Sequence, residues 1–335
     1  MAGEPTPRQM ARDLLQGVKP PRPLFLPVVF SLGARVENLP LSAYLGNPTK
    51  ICNSLRQIRG RLPSDGVTCY FDPYAEVEAL GAALRWHEDD QPPSICWPGP
   101  SRTGELPSDL RSPEDAVKSG RIPVAAEVIR RLNSLLRDDV LLMAGVSGPF
   151  SLAVRLLQCP LQEVAPAESL SPDAIEFAAS MLTRVSSAYL EAGAQVILIH
   201  EDILPTLSSG SCDAWSGLLA PTFNLIRFYG ALPVLLLTDA AAVTHNQEVL
   251  LNRDWECILC PALDTSSLGI SSSKRAVQNG IALPLQVLLP DQGRDELLGS
   301  VLESRPSVIT TAGDLPASTD LKRLLARFGE VRACR

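Results

Sequence analysis

The chain has no excess of basic residues. Its 335 residues carry a formal net charge of −7 with no basic stripe, so nucleic acid is excluded as an expected partner. It has no long apolar run either. "ALPVLLLTDAAAV" breaks at Asp239 after too few residues to cross a bilayer. The opening "MAGEPTPRQMARDLLQG" has no signal-peptide core. These absences predict a cytoplasmic protein with no membrane partner. A dinucleotide fingerprint is missing: "FSLGARVENLP", after the first strand candidate, has one glycine, which counts against an open doubly wound sheet. No Ser sits in a GxSxG elbow, so a Ser–His–Asp device has little support. Cysteine is present but unpatterned, with eight scattered at 52, 69, 96, 159, 212, 257, 260 and 334. Without an export signal they read as free thiols. Cys257 and Cys260 form a CxxC, but "WECILCP" reads as a strand, which sends residues three apart to opposite faces.

What is present is ordinary globular composition, 45% hydrophobic and 20% charged, in a length an α/β barrel can use. Neither a repeat nor a low-complexity segment occurs. A rhythm recurs instead: apolar strand, polar end, amphipathic helix. Strands are predicted at "LFLPVVFS" (24–31), "VTCYFD" (67–72), "LLMAGVSG" (141–148) and "QVILIHE" (195–201). Four more are predicted at "LPVLLLTD" (232–239), "ECILCP" (256–261), "LQVLLP" (285–290) and "PSVITTAGD" (306–314). Each is the short apolar run of a strand buried on both faces. Between them, "PVAAEVIRRLNSLLRD" sets Val124, Val128, Leu132 and Leu135 on one stripe. A second helix is predicted to end at Gly193. A third carries Pro221 and is expected to kink or split there. Eight strands alternating with helices predict a single (β/α)8 TIM barrel over residues 1–335.

Residues 82–122 are too long for an ordinary βα connection. Rich in Pro, Trp and charge, they predict an insertion over the barrel mouth with little regular structure, read as a substrate lid. In such a barrel, chemistry sits at the carboxyl ends of the strands. Arg35, Asp72, Ser147, His200, Glu201, Asp239 and Asp291 stand there. Of the three histidines, His87 falls in the insertion and His245 on the helix after the fifth strand; His200 alone ends a strand. It is either a structural donor or an acid/base. In "VTCYFDPYAEVEALG", Asp72 follows directly on an apolar strand, with Glu76 and Glu78 beyond it. A helix cap and a ligand-binding acid are both open for Asp72.

These segments, taken in order, resemble the uroporphyrinogen decarboxylase superfamily, which also holds cobalamin-dependent methyltransferases of the methylcobamide:coenzyme M type. "RDLLQGVKPPRPLFLPVVF" is similar to the family's opening helix and strand, "FDPYAEVEALG" to its Asp-bearing second strand end, and "VSGPFSLAVRLL" to its third unit. "YLEAGAQVILIHED", "LLAPTFNLIRFYGALPVLLLTD" and "ITTAGDLPASTDLKRLL" continue the match. The resemblance implies a uroporphyrinogen decarboxylase-like barrel. It implies Asp72 as a catalytic position, since Asp72 matches the decarboxylase aspartate. Other decarboxylase residues are replaced: Ser31 stands for the first Arg of Arg-Gln-Ala-Gly-Arg, with Arg35 retained, Arg155 stands for a tyrosine, and "TTAGD" holds no histidine. The methyltransferase branch commonly reads Glu-Ala-Leu-Gly after its Asp, and Glu78 to Gly81 reproduce it. That branch's zinc ligands fall at Leu237, Asp239 and Gly313, which implies no tightly held zinc.

The expected function is therefore a corrinoid-linked methyltransferase-like enzyme with a degenerate zinc site. Asp72, His200 and Glu201 are the expected catalytic residues. Arg35, Glu78, Ser147 and Asp239 are expected to bind a small-molecule substrate. No tightly bound cofactor is expected; cobalamin would arrive on a corrinoid partner protein, and a homodimer is a further expectation. The alternatives are uroporphyrinogen decarboxylase, in porphyrin biosynthesis, and a catalytically lapsed barrel that binds a tetrapyrrole or a partner.

Overall fold

The structure, a computed structural model, describes residues 5–87, 92–97, 104–136, 140–159, 166–253, 255, 257–261, 280–289 and 295–333. Its strands are β1 (Leu24–Phe25), β2 (Gly66–Tyr70), β3 (Ala83–Arg85), β4 (Ser94–Cys96), β5 (Leu141–Ser147), β6 (Val196–Glu201), β7 (Leu232–Leu237), β8 (Ile258–Pro261), β9 (Gly280–Leu283) and β10 (Val308–Thr311). Eight of them form one sheet in the order β1-β10-β9-β8-β7-β6-β5-β2, and every ladder in it is parallel. Among the described residues, helices lie between successive staves from β1 to β8 and again between β9 and β10, as buried parallel strands require. This is the nearly closed eight-stranded barrel that the alternation of elements predicts. Cross-seam bonds join its two edge strands. The Asp65 N–H donates to the Phe25 carbonyl at 2.9 Å, and the Thr68 hydroxyl donates to the Pro27 carbonyl at 3.1 Å. A buried Arg22–Asp65 ion pair at 2.6 Å holds the same edge.

Four expectations about elements are corrected. The first strand was expected over 24–31, but its ladder stops at Phe25. Pro27 supplies no N–H, and past it side chains take over from backbone partners. Val28 N–H donates to Thr311 Oγ1, and Phe30 and Ser31 N–H donate to the two oxygens of Asp314. The seventh strand was expected at 285–290, yet Leu285–Leu288 is a helical turn opened by Pro284, and Gly280–Leu283 is the stave. "GIAL" is a weak strand signal because of its glycine. The backbone needs that glycine: a Cβ on Gly280 would fall 1.8 Å from Leu259 Cδ2 of β8. The third expectation concerns Ile122–Leu136. This helix buries Ile122, Ala125, Val128, Ile129 and Leu132, while Leu135 of the expected stripe is exposed. Pro221 does not split its helix, which runs from Ser209 to Phe228. The helix Pro172–Ala192 ends at Gly193, at φ +109°, as expected.

The insertion is more regular than predicted. β3 and β4 form an antiparallel ribbon, and a helical turn covers Pro113–Ala116. Residues 88–91 and 98–103 of the insertion, and Asp291, lie outside the described residues. No helix among the described residues is long and apolar enough to cross a membrane.

Candidate active site

The carboxyl ends of β2, β5, β6 and β7 open on a cavity of about 870 Å³. Its wall includes Tyr74 beyond β2, Arg155 and Gln158 on the helix after β5, Asp202 beyond β6, and Asp239 and His245 on the helix after β7. Pro92, Pro93 and Ile95 of the insertion line the same space. The ribbon therefore reaches the barrel mouth, where the sequence placed a lid.

Two arginine–carboxylate clusters flank the mouth. On the β6 side, the Arg155 guanidinium pairs with Asp202 Oδ2, donates to the Ser151 carbonyl at 3.2 Å, and lies 5.2 Å over the Tyr74 ring. Burial pushes Asp202 up, but Arg155, His200 and hydrogen bonds outweigh it and bring the carboxyl down to about 2. Arg155 is itself held up, since Asp202 outweighs the effect of burial. On the β2 side, Arg121 precedes the helix Ile122–Leu136 and bridges Asp72 at 2.8 Å and Glu78 at 3.0 Å. Trp86 stacks on its guanidinium at 5.4 Å. Burial raises the Asp72 carboxyl, and Arg121 offsets only part of that.

Glu201 sits at the end of β6 with no exposed surface. Its oxygens accept the Phe150 N–H at 3.1 Å and the Ser151 N–H at 2.8 Å, closing the start of the helix Pro149–Leu157 from outside. Gly148 makes this approach possible, because a Cβ there would lie 2.2 Å from Glu201 Cδ. Burial pushes this carboxyl up to about 7. Glu76 is buried as well and accepts from Ser147 N–H and Ser147 Oγ, each at 2.9 Å.

The expected site residues can now be placed. Asp239 lines the cavity and accepts the Ala242 N–H at 3.0 Å, capping its helix. Asp72 and Glu78 come together on Arg121, outside the cavity lining. Asp72 does not cap the helix Ala75–Leu80, whose N-cap is Tyr74; it accepts the Tyr74 N–H at 3.0 Å in a local turn. Ser147 serves Glu76. His200 is buried, bonded to Thr238 Oγ1 at 3.1 Å and packed on Phe71, and burial lowers its pKa. Glu201 is sealed. Arg35 is drawn away from the cavity, because its guanidinium donates to the carbonyls of Thr319 at 3.2 Å and Ala317 at 3.4 Å in the segment after β10.

The sequence reading missed Arg121, Arg155, Asp202, Tyr74 and Gln158 as site groups. Asp202 had a signal, since it follows His200-Glu201 directly. Arg121 had none, because its partners come from 49 and 43 residues away in the chain. At the positions where the resemblance places zinc ligands, the side chains of Leu237 and Gly313 carry no donor atom, and Asp239 caps its helix. Among the described residues, no group of three His, Cys, Asp or Glu side chains is placed to hold a metal.

The uroporphyrinogen decarboxylase (URO-D) family matches residues 6–222. A methyltransferase from Methanosarcina mazei superimposes with a TM-score of 0.72 at 19% identity, over 98% of this chain and 99% of that one. A dihydrodipicolinate synthase from Oceanobacillus iheyensis overlaps 62% of this chain and 56% of its own at 11% identity, with a TM-score of 0.35. None of the curated proteins compared with the chain matches it.

Proposed function

The chain belongs to the uroporphyrinogen decarboxylase family, and from that premise we propose that it is a methyltransferase-like enzyme working on a small molecule in the barrel-mouth cavity. The observation that carries this reading is the cavity itself. Arg155–Asp202 stands on one wall, Asp239 and His245 on another, and the insertion lies over the top. The full-length likeness to a protein described as a methyltransferase supports the choice of branch.

In this reading methylcobalamin on a corrinoid partner would supply the methyl as a cation equivalent and keep the electron pair of the broken bond, and the residues of the cavity would hold the nucleophile that accepts it. No zinc takes part. The acceptor must therefore lose its proton to a protein base, and His245 is the imidazole that lines the cavity. Tyr74 and the Arg155–Asp202 pair form a flat wall on which the acceptor rests. Asp72 acts through Arg121 as a positioning residue, tying β2 to the start of the insertion's exit helix. The ribbon over the mouth excludes water during transfer.

Uroporphyrinogen decarboxylation fits less well. Its substrate carries eight carboxylates. Arg155 is already held by Asp202 and the Ser151 carbonyl, and Arg35 is held by the Ala317 and Thr319 carbonyls. Each missing charge-assisted contact forfeits roughly 1.5–3 kcal/mol.

The test is anaerobic incubation of the protein with methylcobalamin and a panel of thiols, following the corrin spectrum and the methylated thiol by mass spectrometry. A parallel arm supplies uroporphyrinogen and separates products by carboxylate number. The expected result is thiol methylation that falls at least tenfold in His245→Ala, about 1.4 kcal/mol of barrel-mouth catalysis. Steady formation of a four-carboxylate product, with no methyl transfer, would overturn the reading.

A further inference from the structure

The helix Ser209–Phe228 turns an uncharged face to solvent. Its inner face belongs to the core, where Trp215, Leu219, Phe223 and Ile226 are buried. Opposite them run Gly210, Ala214, Gly217, Pro221, Asn224 and Phe228, all exposed. Their spacing alternates between four and three, the period of a seam between two packed helices. None of the six is charged, whereas the outer face of a surface helix ordinarily carries charge. The seam has the composition of a contact surface.

The same seam carries a knob and a hole. Phe228, at one end, is 85% exposed, more than any other large apolar side chain among the described residues. Toward the other end, an apolar groove of about 520 Å³ separates this helix from the helix Pro172–Ala192. Ala214, Gly217 and Leu218 wall it on one side and Ile175 on the other, with buried Trp215 and Phe150 beneath. Gly217 keeps the groove open, because a Cβ there would meet nothing within 4 Å. Phe228 lies beyond Ala214 and Gly217 by about 17–21 Å along the axis, at 1.5 Å per residue. Two copies of the helix, laid antiparallel about a two-fold axis near Pro221, set each Phe228 against the other copy's groove. A two-fold interface requires this self-complementarity. Close to the axis stand Gly217, Ala220 and Pro221, small enough to let two helices approach closely.

Charge favours the same pairing. Glu168 and Glu176, both exposed, form an acidic rim on the groove. Arg227, also exposed, stands beside the knob. The two-fold arrangement brings Arg227 of one copy to the acidic rim of the other, where such charges set encounter and register more than affinity. Asp213, on the flank of the seam, is already paired with Arg253. We propose that the chain forms a two-fold homodimer through this helix, each copy seating Phe228 in the groove of the other. Stable interfaces bury about 1,200 Å² or more in total. One helix pair with two seated phenylalanines is small on that scale, so association in the micromolar range is expected. The proposal does not depend on the reaction assigned to the barrel mouth.

The experiment is sedimentation velocity on the full-length protein from about 1 to 100 µM, a span that brackets micromolar association. The wild type is expected to pass from monomer to dimer. Phe228→Ala removes the knob, and Gly217→Lys fills the groove and sets a like charge against Arg227. Each is expected to weaken the dimer at least tenfold. Both positions are exposed and lysine suits a helix better than glycine, so melts at low concentration should match or exceed wild type. An equimolar mixture of the two variants regains one intact knob and groove, and is expected to associate more tightly than either variant alone. A wild type still monomeric at about 100 µM leaves this face to a different protein and overturns the proposal. A dimer untouched by both substitutions, or a mixture no tighter than its components, also overturns it. So does a series of growing species, because a two-fold contact closes at two copies.

Discussion

The two arginine–carboxylate pairs at the barrel mouth are alike in composition and opposite in setting. Arg121 and Arg155 are both buried. Asp72, the partner of Arg121, keeps 4% of its side chain exposed, whereas Asp202, the partner of Arg155, keeps 28%. Burial raises the first carboxyl, and the second is held down at about 2. In the proposed reading the working acid is Asp202, which borders the cavity, and not Asp72, the acid to which the resemblance points and whose partner Arg121 lies under Trp86.

Arg121→Ala breaks the comparison hardest. It strands Asp72 where water cannot reach, and a buried charge left alone costs about 3–5 kcal/mol. Arg155→Ala also strands a carboxylate, but Asp202 can hydrate, so the expected loss is about 1–2 kcal/mol. Urea unfolding of the two variants side by side checks the ordering; equal losses would show that the two pairs are equally sealed.

Gly148→Ala tests the foot of the open side. The new methyl meets Glu201, which holds the start of the helix carrying Arg155 and Gln158. Overpacking of this kind costs about 1–3 kcal/mol. It should also weaken any ligand bound in the cavity, whereas the Asp72–Arg121 side is spared. A melt and a binding titration on the same variant separate the two effects.

Stability against pH sharpens the contrast further. Asp202 titrates lower in the folded protein than in the unfolded chain. Its contribution is present above about 3.8 and drains away as pH falls toward about 2. Glu201 runs the other way: its folded pKa is raised from 4.5 to about 7. Its contribution is present below 4.5 and is lost as pH rises through about 7. Asp72 has the same sign as Glu201. Thermal melts from pH 2 to 8 should show both limbs. Asp202→Asn should flatten the acid limb alone, and Glu201→Gln the neutral one alone.

Which parts of this were legible in the sequence follows a physical rule. Strands buried on both faces announce themselves as apolar runs, so β5, β6 and β7 were readable at nearly their true lengths. The stave at Gly280–Leu283 was not, because close approach to β8 demanded a glycine that looks like a turn. The polar strand ends were readable as a set. Their partners were not: Arg121 reaches Asp72 across the whole insertion, and Asp202 reaches Arg155 across a helix and a strand. Thus His200 and Glu201 were singled out for ending a strand, but burial assigns one to Thr238 and the other to a helix start. The exposed acid is the next residue, Asp202.

The most direct test compares Asp202→Asn with Asp72→Asn in the methylcobalamin assay, each with its own thermal melt. Both substitutions remove one charge and keep the side-chain shape. If the open pair is the working one, Asp202→Asn loses at least about tenfold in kcat/KM, roughly 1.4 kcal/mol, while its melt shows it fully folded at the assay temperature. Asp72→Asn then stays within about threefold of wild type, under 1 kcal/mol on the same scale. The reverse, a tenfold loss in Asp72→Asn with Asp202→Asn at wild-type turnover, would contradict the account and move the reacting group to the sealed side of the barrel.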